Sequence, residues 1–201
     1  MRWQRLPLGP ALRVGLLTRS GREFLGGHIV VPELRAGDSL WLTGPLLEPA
    51  EAAADTDESA GRERDGAQPA PKYLDLPGPT PLLGLEQVRG SPTVIVIEGV
   101  FDWLTLCCWG YPAVALLGTH TRPDTLEHLR AFQRVYLVLD QDDAGLEATL
   151  RLSDALGARA VPVELPEGVH DLGELAPRAD GRAVFAGALL EAVGACTPEN
   201  V

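Results

Sequence analysis

The sequence is poor in lysine, cysteine and long apolar runs, and each shortage argues against a class of protein. Lys72 is the single lysine, and the 17 basic residues face 28 acidic ones, which leaves a net charge of −11. This balance argues against a small basic module that binds nucleic acid by covering phosphates with cations, but not against an enzyme whose acids hold metal ions. No apolar run approaches the ~20 residues that a membrane helix needs.

The three cysteines do not form the pattern of a metal site. Cys107 and Cys108 are adjacent and Cys196 lies near the end, so no C-x-x-C pair exists. We therefore expect no structural zinc. An odd number of cysteines without a signal peptide indicates a reduced, cytoplasmic protein.

Charge is unevenly distributed and marks a boundary in the chain. Residues 1–30 carry five arginines and one glutamate, whereas residues 48–71 carry seven acids, two arginines and no Val, Ile, Leu, Phe or Trp. Such a segment cannot bury enough apolar surface to offset its ordering entropy, so we predict an acidic disordered linker or insertion over 48–71. It separates a β-rich segment, 1–47, from an irregular connecting segment, 72–92, and a domain over 93–201.

Deletion of residues 50–68 is expected to leave the melting temperature of the chain nearly unchanged, because the segment has no large apolar side chain to bury. Thermal denaturation of the deletion variant beside the intact chain checks this. A large fall in melting temperature would mean that the segment packs against a core.

The apolar pattern predicts two kinds of structure. Near the N-terminus, two apolar runs flank residues 19–22, which predicts a hairpin, and 39–43 predicts a further strand. From residue 93, strands are predicted at 93–99, 113–118, 135–140 and 158–165, and helices at 100–110, 122–132, 143–156 and 181–195. Strands that alternate with helices predict βαβ units, a mainly parallel sheet and the α/β class.

Acidic residues follow two of the predicted parallel strands. Glu98 ends the first, and Asp140 and Asp142 end the third. Ligands of open α/β sheets bind outside the carboxyl ends of the strands, and carboxylates there suit Mg²⁺. Asp102 and Asp171 are further candidates. Asp142 could instead serve only as the N-cap of the helix that follows.

These acids are part of a longer pattern, EGVFD, a later GT, then DQDDAG and LPEGVHDLGEL. The pattern resembles the Toprim domain of the bacterial DnaG-type DNA primase family. The resemblance implies a Toprim fold, with a mainly parallel four-stranded sheet flanked by helices and a small β-rich N-terminal subdomain. Its motif residues are Glu98, Gly99, Asp102, Gly118, Thr119, Asp140, Asp142, Ala144, Gly145, Asp171 and Glu174. No segment resembles the family's zinc-binding or helicase-binding domains, so we expect a catalytic-core fragment.

The resemblance also implies a function. Glu98, Asp140 and Asp142 would be catalytic and would hold Mg²⁺ or Mn²⁺, together with Asp102 and Asp171, and Glu98 would serve as general acid or base. Upstream, RVGLLTRSGREFLGG and PKYLD resemble primase segments that contact nucleotide and template. The residues implied in those contacts are Arg13, Arg19, Arg22, Lys72 and Tyr73.

We therefore expect a primase-like nucleotidyltransferase that synthesises primers on single-stranded DNA from nucleoside triphosphates. A helicase or a separate zinc-binding protein is a candidate partner, and no membrane association is expected. Two alternatives remain open at this point: a Toprim nuclease that cleaves phosphodiesters, and a non-catalytic Toprim module that binds DNA or a replication partner.

Overall fold

The computed structural model describes residues 8–45, 73–118 and 122–195, and the chain divides into two units, Met1–Thr80 and Pro81–Val201. The predicted acidic linker, Lys72, Thr119 and Cys196 lie outside the described residues.

The first unit contains a short helix and an antiparallel sheet. Its elements are α1 (Leu8–Arg13), β1 (Val31–Arg35), β2 (Asp38–Pro45) and β3 (Tyr73–Asp75), with the strands in the order β1-β2-β3. The β1–β2 turn places Ala36 and Gly37 at positive φ, 51° and 85°, as a tight hairpin turn requires. Trp41 is buried in β2, and its indole Nε1 donates to the carbonyl of Leu76 at 3.1 Å. The predicted β-rich N-terminal subdomain is confirmed.

The hairpin predicted around residues 19–22 is only partly correct. The turn exists, since Thr18 N donates to the carbonyl of Arg22 at 2.8 Å, but its arms pair through a single bridge between Leu17 and Glu23. A second turn follows at once, with His28 N donating to the carbonyl of Leu25 at 3.1 Å and Gly27 at φ 77°. The two close turns leave no extended run between them, so the first strand along the chain begins only at Val31.

The second unit is built on a parallel sheet. Its strands are β4 (Thr93–Ile97), β5 (Ala113–Ala115), β6 (Arg134–Leu137) and β7 (Ala160–Pro162), and its helices are α2 (Val100–Trp109), α3 (Pro123–Leu129), α4 (Asp143–Leu156) and α5 (Gly181–Ala195). The strand order is β5-β4-β6-β7, and every neighbouring pair is parallel. This is the four-stranded, helix-flanked α/β arrangement predicted from the sequence.

Burial explains why β4 lies at the centre of this sheet. Val94, Ile95, Val96 and Ile97 are each at most 2% exposed, so both faces of the strand are covered. A strand buried on both faces reads as a continuous apolar run, which is the pattern on which the prediction of β4 was based. In the described part of the chain, no helix combines the length and the apolar character needed to cross a membrane.

Candidate active site

Carboxylates that follow two neighbouring strands lie at the same edge of the parallel sheet. Glu98 directly follows β4, and Asp140 lies three residues beyond β6. Since β4 and β6 are parallel neighbours, their carboxyl ends lie together. The backbone N–H of Asp140 donates to Glu98 Oε1 at 3.4 Å, which joins the two acidic motifs directly. The predicted convergence of Glu98 with Asp140 is therefore observed.

The carboxylates of Asp102 and Asp171 both lie beside Gly173. Asp102 lies in the first turn of α2, and its Oδ2 would be 2.7 Å from a Cβ placed on Gly99. A Cβ placed on Gly173 would be 3.1 Å from Asp171 Oδ1 and 3.6 Å from Asp102 Oδ1. The absence of a side chain at residue 173 thus leaves room beside both carboxylates.

A backbone hydrogen bond ties the Asp140–Asp142 loop to the segment that carries Asp171. Gln141 N donates to the carbonyl of His170 at 3.0 Å. Asp171 Oδ1 accepts from Glu174 N at 2.9 Å, and Glu174 Oε2 accepts from His170 N at 3.2 Å. This arrangement is a variant of the capping box, in which Glu174 accepts from the residue before the N-cap, and the two bonds hold the short 3₁₀ turn that begins at Leu172. Asp171 therefore has a structural role, and its role as a metal ligand stays a prediction.

Asp142 is the N-cap of α4. Its Oδ1 accepts from Gly145 N at 2.8 Å. A carboxylate has two oxygens, so capping through Oδ1 is compatible with a metal contact through Oδ2. The simpler prediction for Asp142, helix capping, is confirmed, while its role as a metal ligand stays a prediction.

Electrostatics single out Glu98 among these groups. Burial, followed by the nearby negative charge of Asp140, raises the pKa of Glu98 to about 6. Asp142 and Asp102 add to the rise, while the N–H of Asp140 partly opposes it. The negative charges that raise the pKa of Glu98 repel it, and a cation placed among these carboxylates would relieve that repulsion.

The donor set fits the divalent cation that the resemblance implies. Carboxylate oxygens are hard ligands, and Mg²⁺ keeps several waters and commonly takes only one or two carboxylates from a protein. Within residues 8–45, 73–118 and 122–195, no three His, Cys, Asp or Glu side chains are placed to hold a metal ion together. Only an ion that takes one or two carboxylates and completes its shell with water, as Mg²⁺ commonly does, is compatible with this arrangement.

The predicted basic contacts lie in the other unit. Arg13, Arg19 and Arg22 are exposed, and Tyr73 is half-buried at the start of β3. Lys72 lies outside the described residues. All five belong to the unit that ends at Thr80, whereas the carboxylates belong to the unit that begins at Pro81.

Two features of the site were given no role from the sequence, although Gly145 belongs to the motif that carries the resemblance. Gly145 is in the first turn of α4, where a Cβ would lie 2.0 Å from the carbonyl oxygen of Asp140 and 3.0 Å from Glu98 Oε1. Leu117, at φ 58°, donates its N–H to the carbonyl of Glu98 at 3.0 Å. A glycine early in a strong helix was the available signal for the first. A left-handed backbone conformation at a leucine has no sequence signature, because the surrounding structure imposes it.

Glu98→Gln is expected to stabilise the chain at pH 7.5 and to have little effect at pH 4.5. The folded-state pKa lies above the unfolded one, so wild-type stability falls as pH rises from the ordinary glutamate range through about 6. Glutamine mimics the protonated form and avoids this loss. With solvent screening of a half-buried group, the gain is about 1 kcal/mol, or roughly 2–4 °C in melting temperature.

Thermal denaturation at both pH values checks this, with the exposed Glu191→Gln as control. An equal gain at both pH values would contradict the electrostatic origin of the effect.

Comparisons with known proteins agree with this geometry. Residues 95–175 match a Toprim-like family model. A DNA primase of Deinococcus radiodurans is 35% identical over 116 residues, which are 49% of this chain and 19% of that protein. The chain thus spans about a fifth of the length of this curated relative.

Solved structures of primases share the fold. The RNA polymerase domain of Mycobacterium tuberculosis primase DnaG has a TM-score of 0.64 at 20% identity, covering 97% of this chain and 68% of that one. A DnaG primase catalytic domain bound to single-stranded DNA has a TM-score of 0.65 at 22% identity, covering 91% of this chain and 60% of that one. Residues 95–175 are therefore a Toprim-like domain, and the expected relationship with the Toprim domain of the DnaG-type DNA primases is confirmed.

Proposed function

We propose that this chain is a primase-like, metal-dependent nucleotidyltransferase that synthesises primers on single-stranded DNA. The observation that carries the proposal is the convergence of Glu98 with Asp140 at the carboxyl edge of β4 and β6, joined by a hydrogen bond. The similarity to a DNA primase and the shared fold favour nucleotidyl transfer at this acidic site over another reaction of phosphate esters. The proposed site of action is the cytoplasm, and a helicase is a candidate partner.

We assign the cation to the edge where Glu98 and Asp140 converge, with Asp142, Asp102 and Asp171 as the other candidate ligands. Bound there, a divalent cation would neutralise the charge that develops on nucleotide phosphates during in-line phosphoryl transfer. In the proposed reaction, the 3′-hydroxyl oxygen of the growing chain forms a bond to the α-phosphorus of a nucleoside triphosphate. The bond from that phosphorus to the departing pyrophosphate breaks.

Glu98 is the group we assign to the hydroxyl proton. In the metal-free site, burial and Asp140 raise the pKa of Glu98 to about 6, close to the pH at which a general base transfers protons most effectively. It is half-buried beside Asp140, so the proton that it accepts also reduces the repulsion within the site. For nucleotide and template phosphates we assign Arg13, Arg19, Arg22 and Lys72. Guanidinium groups bind phosphate in a two-pronged geometry.

One assay distinguishes this function from its alternatives. Purified chain is incubated with Mg²⁺ or Mn²⁺, labelled nucleoside triphosphates and single-stranded DNA. Labelled oligonucleotides that require both the metal and the template support a primase. Shortened DNA supports a phosphodiester-cleaving nuclease, in which the same carboxylates would serve the attack of water. DNA binding with neither product supports a non-catalytic module and overturns the proposal.

A further inference from the structure

A cluster of three arginines lies at the amino edge of the parallel sheet, opposite the carboxylates. Arg134 is the first residue of β6, Arg159 directly precedes β7, and Arg130 caps the end of α3. Val135 pairs with Ala160 in the parallel register. Arg134 and Arg159 are the residues directly before this pair, so they are neighbours. All three side chains belong to residues that are exposed.

The guanidinium groups are held in place by backbone oxygens. Arg130 Nη2 donates to the carbonyl of Ala155 at 3.2 Å, and Arg159 Nη1 donates to the carbonyl of Phe132, also at 3.2 Å. Arg134 Nη1 donates to the carbonyl of Ala158. The three arginines therefore link the loop after α3 to the end of α4 and the residues that follow it.

These contacts do not neutralise the cluster. In the part of the chain that the structure describes, ion pairs within 4 Å involve other arginines, Arg122, Arg151 and Arg178. The carbonyls at the end of α4 carry the equivalent of about half a negative charge, against three full positive ones. A guanidinium has five N–H donors, and each contact described above uses one of them. Positive charge and oriented donors thus remain for an external anion.

We propose that Arg130, Arg134 and Arg159 form a binding surface for the phosphodiester backbone of nucleic acid, separate from the carboxylate site. Residues 134 to 140 run from one edge of the sheet to the other, a separation of about 20 Å. That distance spans several nucleotides of an extended strand, so a bound strand can contact both edges. On a chain of net charge −11, a positive surface is needed wherever a polyanion approaches the domain. Binding of nucleic acid at this surface does not depend on catalysis and requires no metal.

The experiment measures binding of a fluorescent oligothymidylate by anisotropy, in EDTA, over a range of salt concentrations. The full chain carries Asp140→Asn throughout, so that the carboxylate site is inactive. Arg130→Gln, Arg134→Gln and Arg159→Gln are combined, because glutamine removes the charge but keeps a donor for the carbonyls. The salt slope of log K is expected to fall by about 2, and the Kd at 50 mM salt to rise at least about tenfold.

Two matched variants separate charge from structure. Removing the three ion-paired arginines together, R122Q, R151Q and R178Q, changes the net charge equally and is expected to leave the slope unchanged. Lysine at residues 130, 134 and 159 keeps the charge and is expected to retain most of the slope.

Each remaining outcome overturns the proposal. An unchanged slope in the triple glutamine variant means that the arginines do not meet phosphate. An equal loss in the lysine variant means that their role is only to hold the loops. Displacement of the oligonucleotide by polyglutamate of equal charge, at equal concentration, means that the surface prefers an acidic protein. Failure of the primer-synthesis assay does not affect this test, since it measures metal-free binding alone.

Discussion

Asp140→Asn is expected to lower the rate of metal-dependent primer synthesis by at least about 10³-fold. Asparagine preserves the size of the side chain and removes the charge that a cation requires, and the loss of several kcal/mol of charge stabilisation corresponds to such a factor. The backbone N–H that donates to Glu98 is unaffected by the change, so the local fold is expected to persist. Incorporation of labelled nucleotides on single-stranded DNA, beside thermal denaturation, measures both properties.

The neighbouring acids supply the controls for this prediction. Asp143→Asn removes an exposed charge from the first turn of α4 and is expected to leave activity within about twofold of wild type. Asp142→Asn is expected to lose activity but keep stability, because asparagine caps a helix as well as aspartate does. Asp142→Ala is expected to lose about 1 kcal/mol as well. Unchanged synthesis in Asp140→Asn would remove the carboxylates from the mechanism.

Gly145→Ala is expected to destabilise the chain by about 3 kcal/mol or more and to abolish activity. The added Cβ would lie 2.0 Å from the carbonyl oxygen of Asp140, an overlap that only a backbone shift can relieve. It would also lie 3.0 Å from Glu98 Oε1, so the shift would separate the two acidic motifs. Overpacking in a well-packed region typically costs about 1–3 kcal/mol. A clash of the added Cβ with a backbone oxygen lies at the upper end of this range or beyond it.

Gly187→Ala is the matched control for this substitution. Gly187 also lies within a helix, α5, but a Cβ there would have no neighbour within 4 Å. Alanine in open helical space stabilises a helix by roughly 0.5–1 kcal/mol relative to glycine. Chemical denaturation of both variants tests the pair. A Gly145→Ala chain as stable as wild type would show that the first turn of α4 does not pack against Asp140 in this way.

The second unit was predictable because its local and tertiary signals agree. The helix over 143–156 was predicted to the residue, since Asp142 caps its start and Gly157 follows its end. The central strand was equally clear because it is buried on both faces. The strand predicted at 158–165 is shorter, Ala160–Pro162. Apolar residues beyond it, such as Val163, are buried without belonging to the regular strand.

The first unit was harder to predict because its strands are specified by turns. The β1–β2 hairpin depends on Ala36 at positive φ, a conformation that alanine seldom adopts and that the sequence does not signal. In the site, parallel topology alone predicted that Glu98 and Asp140 would meet. Gly145 was part of the quoted motif, but the physical reason for glycine there is a carbonyl five residues earlier, and that reason emerges only from the three-dimensional contact.

Binding of Mn²⁺ to the full chain, followed at pH 8 through the electron paramagnetic resonance signal of the free ion, tests the central claim most directly. The claim is that the carboxylates after β4 and β6 form a divalent-cation site. The account predicts that wild type and Asp143→Asn bind Mn²⁺ alike, and that Asp140→Asn binds it at least about tenfold more weakly. Equal affinity of wild type and Asp140→Asn would contradict the claim.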